Sequence, residues 1–276
     1  MKKLKTFISI LLFIIISIQS FSHIENSEKK DQAELELILK KCAEYCERLD
    51  NVSLHFICQE KITEEILKGN IGFVVRNIYI YDYQLIRKAN KIVEQRILIK
   101  ENGRKKNDLD AQLKTSRFHH KYIVFGPIGL LSQEEQKNYE YKILKEVTYK
   151  KDKAVILEAL PKFPGEFNAL YGKIWIRKKD FAILKIEWNQ ESLENFEDIE
   201  KLAEELEAKP LITFISEYEF EKNKIRFPNK YSIEESYLPR FVVGEKIIWS
   251  QTTVIYDNYK FFIVETEVKY QSRGEQ

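Results

Sequence analysis

The stretch from Leu170 to Trp188, LYGKIWIRKKDFAILKIEW, constrains the possible folds more than any other part of the chain. Leu170, Gly172, Ile174 and Ile176 alternate with Tyr171, Lys173, Trp175 and Arg177. In the second arm Ala182, Leu184, Ile186 and Trp188 alternate with Phe181, Ile183, Lys185 and Glu187. A period of two puts successive side chains on opposite faces of a pleated strand, so each arm carries one apolar row and one mixed row. The short charged turn Lys178-Lys179-Asp180 then joins the arms into an antiparallel hairpin.

The same pattern runs through most of the chain. It predicts strands at Val52–Lys61, Tyr79–Arg87, Lys91–Glu101, Leu144–Tyr149 and Ala154–Leu160. Four more are expected at Ile212–Lys222, Lys230–Leu238, Glu245–Tyr256 and Phe261–Gln271. Asn102-Gly103 marks a tight turn. Tyr79, Tyr81, Tyr83 and Leu85 form an aromatic row that reads as core packing rather than as a base-stacking platform. Helical spacing is confined to two segments. In the first, Asp31 and Glu34 resemble a capping box, followed by Leu35, Ile38, Cys42, Tyr45 and Leu49, with a break at Asp50-Asn51. The second is Ser192–Glu207, whose acidic outer face reads as solvated, with Pro210 closing it. Residues 104–121 read as an exposed polar loop. Phe125-Gly126-Pro127-Ile128-Gly129-Leu130-Leu131 cannot be a regular strand or helix throughout and reads as an apolar lid. About ten antiparallel strands with two or three covering helices make a mainly β (α+β) protein, built as a curved sheet or open half-barrel.

The first 22 residues stand outside this scheme. Lys2, Lys3 and Lys5 precede an apolar run from Phe7 to Ile18 and a small-x-small site at Ser20-Phe21-Ser22, the pattern of a secretory signal peptide. Residues 23–276 are then expected to form a single domain. Removing the leader's three lysines takes the formal charge of +2 to slightly negative, so nucleic acid is not an expected partner. Export exposes Cys42, Cys46 and Cys58 to an oxidising compartment. A Cys46–Cys58 disulfide is expected, with Cys42–Cys58 the rival pairing, three buried thiols the remaining alternative, and one thiol left over in either bridged form. His55 reads as a strand residue facing solvent. His119-His120 lacks a carboxylate at ligand spacing, so neither a metal nor another cofactor is expected. The chain carries no G-x-S-x-G, no H-E-x-x-H and no Gly-rich phosphate loop. Glu158, Glu187 and Glu217 read as solvent-facing strand carboxylates, and no enzyme activity is expected.

The order of these pieces resembles the LolA/LolB-like family of outer-membrane lipoprotein-sorting proteins. The residues that carry the resemblance are the leader, Asp31–Leu49 running into Val52–Lys61, the Phe125–Leu131 lid, Gly172–Arg177, Leu184–Trp188, and the ending Tyr256-Asp257-Asn258-Tyr259-Lys260-Phe261-Phe262. The resemblance implies a periplasmic half-barrel that binds a lipid or acylated lipoprotein in its hollow. Ile174, Leu184, Ile186 and Trp188 would line the sheet, and Phe125, Ile128, Leu130 and Leu131 the lid. It also implies a buried arginine that secures the lid, for which no motif here assigns a residue. The alternative on the same fold is an RseB-like envelope sensor or protein-interaction module, with envelope membrane proteins as partners.

Overall fold

The structure is a computed structural model; it describes residues 30–52, 56–68, 73–88, 91–120, 123–163, 170–240 and 245–262. The expected leader, His55 and the expected strand beyond Phe262 lie outside the described residues. Helix α1 (30–52) already contains Asp31 and runs slightly past the expected break. Ile38, Cys42, Tyr45, Cys46 and Leu49 are buried on one face of it, as helical spacing requires.

Thirteen described strands follow: β1 (Phe56–Lys68), β2 (Phe73–Lys88), β3 (Lys91–Glu101), β4 (Arg104–Asp108), β5 (Tyr139–Tyr149), β6 (Asp152–Pro161), β7 (Gly172–Arg177), β8 (Ile183–Trp188), β9 (Ala208–Glu217), β10 (Phe220–Lys222), β11 (Ile225–Phe227), β12 (Lys230–Pro239) and β13 (Ile247–Phe261). Eleven of them form one sheet in the order β4-β3-β2-β1-β13-β12-β9-β8-β7-β6-β5. Every pairing is antiparallel, and β4 and β5 are left as edges, so the barrel is open. The last described strand, β13, slots between β1 and β12. Two short helices complete the frame, α2 (Gly126–Leu131) and α3 (Phe196–Glu205).

Several expectations are corrected, each for a local reason. Residues 104–108 are an edge strand, not loop: Asn102 (φ 48) and Gly103 (φ 80) turn the chain tightly enough to pair Arg104 with Glu101. The strand carries only exposed side chains, and charges suit an edge because they discourage a second chain from pairing there. Pro210 does not terminate a helix but lies inside β9. Its neighbour β8 reaches only to Phe214, and Ile212 N–H on that side bonds to the Gln190 side chain instead. Pro210 therefore points its missing N–H at a side where no strand needs it. The two expected C-terminal strands are one through residue 261. Asp257-Asn258 is absorbed as a bulge, with Asn258 at φ 54 and the β1–β13 register shifting opposite Cys58.

The core lies on the concave side. Tyr79, Tyr81, Tyr83 and Leu85 face it and are buried, as packing rather than display requires. At the lower end of the sheet the β10–β11 hairpin folds over β13, stacking Phe220 on Tyr259 with ring centroids 4.5 Å apart. Arg226 N–H donates to the Tyr45 hydroxyl at 2.9 Å, which ties the hairpin to α1.

Candidate functional site

Alternation alone would make the concave rows apolar, and along β1 it does not. The inward, buried positions read Phe56, Cys58, Glu60, Ile62 and Glu64. On β12 they read Tyr231, Ile233, Glu235 and Tyr237. Three carboxylates thus stand where apolar side chains belong, and a buried charge is costly unless it is paired and hydrogen-bonded.

All three are paired, each at least in part with a strap of chain, residues 109–120, that crosses the hollow. Glu64 accepts the backbone N–H of Ser116 at 2.7 Å and of Arg117 at 3.1 Å. Glu235 accepts Arg117 Nε at 2.6 Å, a second Arg117 nitrogen, the Tyr237 hydroxyl and Ser250 Oγ. Glu60 receives both Arg96 Nε (2.6 Å) and Nη2 (3.1 Å), with His120 Nε2 at 2.9 Å on the same carboxylate. Burial alone would push the Glu60 carboxyl up, but Arg96 and His120 overcome it and hold the carboxyl down to about 2. Arg96 stays fully charged, lies over the Tyr83 ring at 4.9 Å, and also bonds to Glu94. The strap closes on itself where Thr115 Oγ1 donates to Phe118 O and His119 Nε2 meets Thr115 O.

None of Glu60, Glu64, Arg96, Arg117, His120 or Glu235 was singled out as a site residue from the sequence. A signal existed: a carboxylate in the apolar phase of an alternating strand asks for a partner, and β1 shows two.

The strap leads into the lid. Ile123–Phe125 forms one 3-10 turn and α2 follows. Tyr218 donates its hydroxyl to Ile123 O at 3.0 Å, Cys46 Sγ lies 3.4 Å from Pro127 O, and Tyr141 donates to Leu130 O. Gly126 sits so close to Trp188 that a Cβ there would stand 3.1 Å from the ring and 2.7 Å from the Tyr218 oxygen. Trp188 is fixed in turn by donating Nε1–H to Ser216 Oγ at 2.9 Å.

The structure brings most of the expected lining residues together. Ile174, Ile186, Trp188, Leu130 and Leu131 are buried members of one core cluster, and Phe125 and Ile128 pack against it half-buried. Leu184 is buried outside that cluster. It is the unpaired residue where the β7–β8 register shifts between Trp175/Lys185 and Ile176/Ile183. The expected Cys46–Cys58 disulfide is absent, as is the rival bridge to Cys42: all three cysteines are buried, unbridged thiols. Cys46 is directed at the lid backbone while Cys58 neighbours the Tyr259 hydroxyl, and burial pushes all three thiols up, Cys42 to about 12. His119 and His120 are both engaged within the protein, and the described residues contain no group of three or more His, Cys, Asp or Glu that could hold a metal ion. No described helix is long and apolar enough to cross a membrane.

No protein-family model and no curated protein matches this sequence. Similarity is found among solved structures. An outer-membrane lipoprotein-sorting protein domain from Vibrio parahaemolyticus aligns at 12% identity over 83% of this chain and 95% of its own, with a TM-score of 0.38. A DUF1329 family protein from Desulfovibrio piger gives 13%, 83%, 95% and 0.37 for the same measures. A LolA superfamily protein from Nitrosomonas europaea gives 12%, 83%, 94% and 0.35. In architecture the chain is an open antiparallel half-barrel whose hollow is occupied by helices and a strap.

Proposed function

We propose that this chain is an exported, non-enzymatic, carrier-like protein of the periplasm that buries the acyl chains of a lipid or acylated lipoprotein in the hollow of its half-barrel. Ile174, Ile186 and Trp188 would meet the chains from the sheet, Leu184 from the bulge beside them, and Phe125, Ile128, Leu130 and Leu131 from the lid. The observation that carries this reading is how the hollow is closed. An apolar plug would stabilise the sheet best; instead a strap is latched by buried carboxylates. Such pairs contribute little net stability when made yet specify one arrangement sharply. A latch of that kind lets the strap leave as a unit, uncovering apolar wall that an acyl chain re-covers at about 0.8 kcal/mol per CH₂.

Native mass spectrometry of the mature protein from a bacterial periplasm, with lipid extraction, tests this. The expected result is a bound phospholipid or acylated peptide that is lost in Ile128→Glu, a half-buried lid position whose change spares the sheet. A clean ligand-free mass, with no uptake of a fluorescent fatty acid, would overturn the carrier reading and leave an envelope protein-interaction module.

A further inference from the structure

The carboxylates beneath the strap differ in where their partners come from. Glu60 has Arg96, which β3 supplies independently of the strap. Glu64 is met by the strap: besides the Ser116 and Arg117 backbone N–H groups, the Ser116 hydroxyl lies 3.3 Å from it. Glu235 accepts the Tyr237 and Ser250 hydroxyls, but its one ion pair among the described residues is with Arg117. A single strap residue therefore serves both, with its backbone at Glu64 and its guanidinium at Glu235. The two carboxylates flank one strand. β13 runs between them, with Thr252 opposite Glu64 and Ser250 opposite Glu235. All four residues are buried in the concave phase of their strands. Thr252 Oγ1, beside Glu64, is buried without a hydrogen-bond partner among the described residues, and a buried hydroxyl in that condition has bonding capacity for one more group.

This inference rests on the carrier reading, in which cargo takes the strap's place. The wall that such cargo meets holds Glu64 and Glu235 with no ion-pair partner on the sheet among the described residues. Breaking a buried pair by removing one member is strongly unfavourable, because a charge is left uncompensated. Cargo ending in an anion would add a like charge beside the two carboxylates. Cargo ending in a cation with several N–H groups would restore what Arg117 supplied. We propose that Glu64, Glu235 and Thr252 form a head-group site for a cationic amphiphile, an acyl chain that ends in an ammonium, a guanidinium or a basic peptide. Arg117 fills the site as an internal substitute while the strap is closed.

The test is isothermal titration calorimetry of the mature protein, delipidated beforehand, at neutral pH. The probes are dodecylamine, dodecylguanidinium, lauroyl-argininamide and laurate, which have chains of equal length, each kept below its micelle-forming concentration. The cationic probes should bind about tenfold or more tighter than laurate, since they make an ion pair where laurate meets repulsion. The tightest of the three tells whether a lipid head or an acylated peptide is the source. In Glu64→Gln/Glu235→Gln the preference should fall to about twofold or less. In Arg117→Gln both kinds of probe should tighten by about threefold or more, because the internal competitor is gone, and the preference should persist because the sheet holds the head. A cooperative urea transition would show each variant to be folded. Binding of all four probes within about twofold of one another, or laurate the tightest, would overturn the head-group site and leave the carrier reading standing. So would a preference that survives the double glutamine variant or vanishes in Arg117→Gln. No binding of any probe would overturn both.

Discussion

Glu60 sits between Cys58 and Ile62 on the concave side of β1, with no exposed surface, and its charge is held by Arg96 and His120. Its carboxyl is lowered to about 2 from an ordinary value of 4.5. A carboxyl lowered on folding stabilises the protein above its unfolded value and loses that contribution as the pH falls through the folded one. Stability is therefore expected to decline from about pH 5 towards about pH 2, and urea titrations across that range should show a shallower decline in Glu60→Gln. At neutral pH the same variant leaves Arg96 buried without its main counter-charge and should lose about 3–5 kcal/mol. Adding Arg96→Met should restore part of the loss; a double variant as unstable as the sum of both singles would refute the coupling. Gly172 makes a second residue-scale point. A Cβ there would lie 2.2 Å from the Glu187 carbonyl oxygen and 2.8 Å from Trp188 Cα, both backbone atoms of the paired strand. Gly172→Ala should cost about 1–3 kcal/mol, at the upper end because backbone cannot rotate away. At Gly126 the nearest atoms belong to the Tyr218 and Trp188 side chains, which can yield.

At the scale of elements, α1 and the strap share the task of filling the hollow, and they do it with opposite chemistry. The helix contributes an apolar stripe that includes Cys42 and Cys46, while the strap contributes backbone N–H groups, Arg117 and His120 to carboxylates on β1 and β12. The thiols report on the first of these. Buried and with their thiolates disfavoured, Cys42, Cys46 and Cys58 should resist a thiol reagent in the folded protein. All three should react at once in denaturant without reductant. Titration of one thiol in denaturant would instead reveal a disulfide and contradict the unbridged arrangement.

Across the whole molecule, closure depends on contacts far apart in sequence. β1 pairs with β13 from Phe56↔Phe261 to Ile66↔Ser250, so the sheet is incomplete until the last described strand is in place. Removing residues 245–276 would expose the inner edges of β1 and β12, each a long row of unpaired backbone groups. The truncated chain should fail to give a cooperative urea transition and should aggregate; a monomeric, cooperatively folding product would disprove this dependence. The ends of the sheet also differ. The lower end carries the aromatic β10–β11 flap and the ion pairs of Arg177 with Asp180 and Glu221, and the upper end carries exposed Val74, Val75, Ile247 and Ile248 among exposed charged residues.

The sequence by itself determined the class of fold, because a period of two repeated through Leu170–Trp188 and its counterparts admits only antiparallel sheet. It determined the α1 stripe and the burial of the tyrosine row for the same reason: both follow from which residues share a face. For Phe125–Leu131 it indicated an apolar segment that packs inward but missed its form: Gly126–Leu131 is helical throughout, which Pro127 permits because it stands in the first turn, where no intrahelical N–H is needed. What tertiary structure decided was everything that turns on partners remote in sequence. Pro210 could join β9 only because β8 ends beside it, and Asp257-Asn258 could become a bulge because β1 continues past them. Residues 109–120 read as a polar loop because their partners, Glu60, Glu64 and Glu235, lie 52 or more positions away along the chain. Local spacing records which face a side chain takes; only the assembled sheet brings a buried carboxylate to the strap that neutralises it.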